Sequence, residues 1–308
     1  VENPFQRWVD LARPRAQAWR TLFGIVIVVA AWLAWTMVTG LIAVSAGLVT
    51  PDALRAVMGQ GEARLTFLDA VVAMGVLLAT FWGLWIGVWL VVRLLHGRRL
   101  ASVVGHDGRL WFGQFVVGMG LAAGYLALGL AATWFSGAPP VRSELQAEQW
   151  LVALVPLVVL IFLQTSGEEL FFRGYLTQQI AARLPNPIAW GLLPSLAFGF
   201  AHTANGGGDP QFALYYVAVA TLLGLVMTAM VWRTGGLAAA MGFHLMNNIG
   251  AMLIIGIAGV TPPISLFVMD YDTMMRSAST DVLVLGLLLA FVLSPLAPLP
   301  KGQPLRRK

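Results

Sequence analysis

The 308-residue chain is 58% hydrophobic and only 11% charged, with a mean hydropathy of +0.79. A soluble globule carries roughly twice that charge, so the composition excludes a soluble enzyme or binding module and implies a polytopic all-α membrane protein. The excess of +5 lies in short loops and tails, which speaks for membrane topology and against nucleic-acid binding, and the lack of cysteine excludes disulfides and thiol catalysis.

Taken in order, residues 4–20 set Phe5, Trp8 and Leu11 among Arg7, Arg13, Arg15 and Arg20, the pattern of a lead-in lying on an anionic leaflet. No cleavable signal is expected there, because no small-residue cleavage site follows a short apolar core. Eight apolar runs follow, at about residues 22–49, 67–95, 111–135, 150–184, 188–203, 212–232, 237–257 and 282–299. Each is near the ~20 residues that a bilayer crossing requires. Alternate connections carry most of the Lys and Arg, so the positive-inside rule predicts eight spans with both termini cytoplasmic, in the plasma or inner membrane of a bacterial source. Four segments result: a lead-in at 1–21, three helices in 22–149, a core of helices four to seven in 150–257, and a last helix with a basic tail in 258–308.

Most other features read as structure. Trp32, Trp35, Trp82, Trp85 and Trp89 suit helix packing or an interface belt. Gly83 with Gly87, and Gly120 with Gly124, have the small-xxx-small spacing of close helix crossings. His96 and His106 fall in a basic loop and are expected to be solvated.

The chemistry is concentrated between residues 163 and 248. Two adjacent carboxylates, Glu168 and Glu169, end a long apolar run, and Arg173 follows one helical turn later. An acid inside a spanning helix costs at least ~3 kcal/mol, so a pair of them calls for a function. Helical spacing pairs Glu169 with Arg173 and leaves Glu168, about 100° away, free for chemistry. His202 lies four residues after Phe198, and His244 and Asn248 share one face of the seventh span, with Asn247 on another. Glu168 is about 18 residues before the Asn186 turn and His202 about 16 after it, so at ~1.5 Å per residue they meet at one depth. His244 is only about ten residues from its own turn, a mismatch of ~10 Å.

Glu168-Glu169-x-x-x-Arg173, Phe198-x-x-x-His202 and His244-x-x-x-Asn248 resemble the three signature motifs of the CPBP intramembrane endopeptidases. These include the type II CAAX prenyl proteases and bacteriocin-processing, Abi-like relatives. The resemblance covers residues 150–250 and implies an intramembrane protease whose partners are the bilayer and a peptide or protein substrate. It makes Glu168 the base for water, Glu169 with Arg173 the anchor, His202 a water-placing group, and His244 and Asn248 donors to the oxyanion, with Phe198 touching substrate. The family has also been described with a metal; a zinc version takes Glu168, His202 and His244 as ligands. The glutamate version is preferred, with no cofactor assigned.

Other readings fare less well. No G-x-S-x-G elbow is present. Gly206-Gly207-Gly208-Asp209 and Tyr271-Asp272 mimic aspartyl-protease motifs, but in reverse order and in polar loops. The rivals from other classes are an ion-coupled transporter using Glu and His as a relay, and an idle membrane scaffold or immunity factor. A transporter is expected to show an inverted repeat, and none is evident.

Overall fold

A computed structural model describes residues 3–59, 65–300, 302–303 and 305. The end of the expected polar loop at Arg64 and most of the Lys301–Lys308 tail lie outside these residues. The helices are α1 Pro4–Asp10, α2 Ala18–Ser45, α3 Pro51–Val57, α4 Phe67–Ala79, α5 Trp82–Leu94, α6 Ala101–Val104 and α7 Phe112–Phe135. After them come α8 Ala147–Glu169, α9 Thr177–Arg183, α10 Leu193–Ala201, α11 Pro210–Thr234, α12 Ala238–Ile249 and α13 Tyr271–Leu293.

Six apolar helical stretches among the described residues are long enough to cross a membrane: 18–45, 67–94, 112–135, 147–183, 210–234 and 271–293. Two shorter apolar ones, Ile188–Ala201 and Ala238–Ile254, complete the eight runs read from the sequence. The fold is an all-α polytopic membrane protein. Side-chain oxygens cap the starts of several helices: Thr66 accepts from the Asp69 amide, Asp209 from Gln211, and Asp270 from Thr273.

The connections sort cleanly into two ends. At one, the Trp8 indole donates to Val103 O and Gln178 Nε2 donates to both Trp8 O and Ser102 O. The His106 and Leu237 amides donate across to Gly235 O and Val104 O. Asn3 Nδ2 and Trp232 Nε1 both reach Gln303 O, and Arg233 caps the carbonyls of Val292, Ser294, Leu299 and Pro300. This is the arginine-rich end. At the opposite end, a small sheet of order β1-β3-β2 ties Val141–Arg142 (β1) to Phe267–Met269 (β3), and β3 to Ile255–Ile257 (β2). Helices therefore alternate in direction, as the spacing of basic loops predicts.

α12 lies among α7, α8 and α11, with Ala238 to Leu245 entirely buried. Its approach to α7 needs glycine on both sides. A Cβ on Gly118 would fall 1.9 Å from Ala239 O, and one on Gly242 would fall 2.0 Å from Phe115 O. Gly83 and Gly87 do meet α2 closely, as expected. Gly120 and Gly124 do not: nothing lies within 4 Å of their Cβ positions, because they share α7's exposed face while Gly118 turns inward.

Phe5, Trp8 and Val9 are wholly buried against the protein, since α1 packs on α9 and α11. Two expectations are corrected. His96 is not solvated: it is 2% exposed, with Nδ1 2.9 Å from Arg15 O and Nε2 3.1 Å from Tyr175 Oη. The last helix begins at Tyr271, eleven residues before the expected Val282, because Asp270 caps it and Tyr215 Oη donates to Asp281 at 2.8 Å.

Candidate active site

The chain from Ala147 to Arg183 is helical throughout, which brings Glu168 deep into the bundle. Directly after Glu169 the helix widens into a π segment, Leu170–Leu176, every residue of which is buried. Two more wide segments adjoin the other motifs, Ile188–Leu192 before Phe198 and Gly250–Ile254 after Asn248. Wide turns of this kind recur at functional sites, where they re-aim side chains that a regular helix would misplace.

Arg173 Nη1 donates to Glu169 Oε1 at 2.9 Å, with both side chains fully buried, as helical spacing predicts. The guanidinium carbon also sits 4.0 Å over the Phe198 ring, and Gly224 leaves it room, since a Cβ there would be 3.0 Å from Arg173 Nη2. His244 Nδ1 donates to the same Glu169 Oε1 at 2.9 Å, because a carboxylate can only accept. Its Nε2 lies 3.5 Å from Glu168 Oε2, too long for a good hydrogen bond. Glu169 thus joins α12 to the helix 147–183.

Glu168 is 6% exposed and, contrary to the sequence reading, is not without a partner. Gln164 Nε2 donates to its Oε2 at 2.6 Å, and Gln164 Oε1 accepts from Asn248 Nδ2 at 3.0 Å. Asn247 Nδ2 donates to Asn248 Oδ1 at 3.1 Å, so Asn248 faces the site and Asn247 stands behind it. Gln164 is the residue that sequence reasoning missed. The signal was available: it is the first polar side chain after the apolar run 151–163 and stands four residues before Glu168.

His202 is half-buried at the end of α10, and its Nδ1 donates to Phe198 O at 2.8 Å. In the neutral ring that leaves Nε2 as an acceptor. Phe198 is 1% exposed, its ring 4.4 Å from His202, 5.5 Å from His244 and 5.2 Å from Phe172. The ring is enclosed by the motif side chains and supports them. The mismatch in depth expected for His244 is absorbed, for Phe198 touches both histidines.

A zinc site at Glu168, His202 and His244 needs three donors gathered on one point. Both imidazoles have Nδ1 tied to an oxygen, the tautomer that metal ligands use. Among the described residues, however, no three His, Asp or Glu side chains are gathered in a way that could hold a metal ion. Glu168 Oε2 is also taken by Gln164. The side chains as arranged do not fit the ion, and no step below passes through one. Asp209 and Tyr271, the residues that mimic another protease class, do meet, but as a capping carboxylate and a hydroxyl at the far end of the bundle.

Compared with known proteins, residues 149–250 match the family described as type II CAAX prenyl endopeptidase Rce1-like. The chain is also 29% identical over 167 residues to the uncharacterized protein YyaK of Bacillus subtilis (strain 168), covering 53% of this chain and 54% of that one. The chain thus spans about half the length of the curated relative it matches. No solved structure matches. The matched stretch, about a third of the chain, holds Glu168, Glu169, Arg173, Phe198, His202, His244 and Asn248, and there the chain is similar to the type II CAAX prenyl endopeptidase Rce1-like family.

Proposed function

We propose that this chain is an intramembrane endopeptidase that hydrolyses a peptide bond of a membrane-associated substrate with water activated by Glu168. The observation that carries the reading is two hydrogen-bonded chains side by side, Glu168–Gln164–Asn248 and His244–Glu169–Arg173, each joining the helix 147–183 to α12. Peptide hydrolysis requires a base, donors for the developing oxyanion and exclusion of bulk water, and this set offers all three.

In this reading Glu168 takes a proton from water as the water oxygen bonds to the scissile carbonyl carbon. The carbonyl oxygen becomes an oxyanion beside Asn248, whose Nδ2 has a second N–H beyond the one given to Gln164. His202 accepts a hydrogen bond from the same water through Nε2. On collapse the C–N bond breaks, and Glu168 returns its proton to the leaving amine. His244 has both nitrogens towards carboxylates, so the oxyanion role first shared between it and Asn248 falls to Asn248. His244 instead holds the Glu169–Arg173 pair against the site. The family match supports a prenylated CAAX-type or similar lipid-anchored protein as the substrate class.

The test is hydrolysis of a quenched fluorescent, prenylated peptide by purified protein in liposomes. Glu168→Gln keeps the side chain's shape and should lower the rate by at least ~100-fold while the protein stays folded. Liposomes that show Glu168-dependent ion flux and no cleavage would favour the transporter instead.

A further inference from the structure

Gln164 is 5% exposed and belongs to none of the three motifs, yet it touches both ends of the chemistry. Its direction is fixed by charge. An ionised Glu168 can only accept, so the Gln164 amide nitrogen must face Oε2, which turns Oε1 towards Asn248. Oε1 can only accept in turn, so Asn248 must present Nδ2 to it, and the freed Oδ1 receives Asn247 Nδ2. Three amides thus donate in one sense, Asn247 to Asn248 to Gln164 to Glu168. Flipping any one would set like against like in a buried place, which costs far more there than in water.

We infer that Gln164 is a positioning residue for hydrolysis: it couples the base to the oxyanion donor and selects which oxygen of Glu168 takes the proton. This rests on the reading of Glu168 as the base. Gln164 donates to Oε2, whereas Oε1 has no hydrogen-bond partner among the described residues. The proton from water therefore goes to Oε1, and Oε2 keeps its donor in both protonation states. The same link holds the Asn248 amide with one N–H on Gln164 and the other turned to the substrate. Loss of Gln164 unfixes both groups at once, although it touches no substrate atom.

The experiment compares kcat and KM for wild type, Gln164→Met, Asn248→Ala and the double variant, with the fluorescent prenylated peptide as probe. Methionine matches glutamine in length and keeps the packing but cannot hydrogen-bond to Glu168. The titratable groups around the site, Glu169, Arg173, His202 and His244, are unchanged in every variant. Gln164→Met should lower kcat roughly 10- to 100-fold with KM nearly constant. The double variant should lose less than the product of the two single losses. A folded Gln164→Met with unchanged kcat would overturn the inference. Should that variant not fold, Gln164→Asn takes its place, being polar but one methylene too short for both contacts, and an unchanged kcat there would overturn the inference. The base reading stands or falls separately: an active Glu168→Gln sinks both, whereas an inactive Glu168→Gln beside a normal Gln164→Met sinks only the role of Gln164.

Discussion

The Glu169–Arg173 pair gives the sharpest test of how the site is held together. Breaking a buried ion pair from one side costs about 3–5 kcal/mol, because the remaining charge is stranded. Among the described residues the pair has a single contact, Nη1 to Oε1, and Arg173 Nε and Nη2 and Glu169 Oε2 have no hydrogen-bond partner. Glu169 would keep His244 when Arg173 is replaced, and Arg173 would keep the Phe198 ring when Glu169 is replaced. Each single change, Arg173→Met or Glu169→Gln, should therefore cost about 3 kcal/mol, the lower end of the range. Simple addition would put the double variant near ~6 kcal/mol, but no charge is stranded once both are gone, and about 3 kcal/mol is expected. Unfolding in detergent, followed by circular dichroism for all four proteins, measures the coupling. Costs that add to within ~0.5 kcal/mol would refute the idea that these two side chains stabilise the site through one another.

Three further outcomes follow. Burial lowers His96, which lies outside the spanning helices, to about 4 from an ordinary value near 6.5, so its proton is bound more readily in the unfolded chain. Its contribution is full above pH 6.5 and is lost as pH falls towards 4, about 2 kcal/mol of it between pH 7 and 5; thermal midpoints should show this loss in wild type and its absence in His96→Gln. Elemental analysis of wild type, His202→Ala and His244→Ala, with activity after chelation, bears on zinc: chelation should leave the rate unchanged, and one zinc per chain lost with either histidine would reverse the preference for a metal-free glutamate mechanism. Reporter fusions after His106 should read as cytoplasmic and those after Gly208 as extracytoplasmic; the opposite result would invert the topology expected from loop charge.

The motif residues were legible because membrane-buried polar groups are conspicuous and helical spacing decides which of them share a face. That logic placed Arg173 on Glu169 and Asn248 below His244, and it would have found Gln164 had the amide before the acid been weighed as the acid was. What it could not supply was contact between segments distant in the chain. His96 reads as a loop residue among arginines, and only the Arg15 turn and Tyr175, brought over it by packing, make it an interior one. Asp281 reads as the end of a loop until a tyrosine from another helix satisfies it. Gly118 and Gly120 are indistinguishable by spacing, and the neighbour that selects between them lies more than a hundred residues away.

The closure of the arginine-rich end has a consequence for the order of assembly. Asn3 bonds to Gln303, and Arg233 holds four carbonyls between residues 292 and 300, so the interactions that complete this end need both early and late segments. Phe5 and Trp8 are likewise buried only by the distant surfaces of α9 and α11. Contacts between residues so far apart in the chain carry a large loop-closure cost, so fastening this end is expected to follow the packing of neighbouring helices, and Arg233→Met should slow refolding more than it alters chemistry.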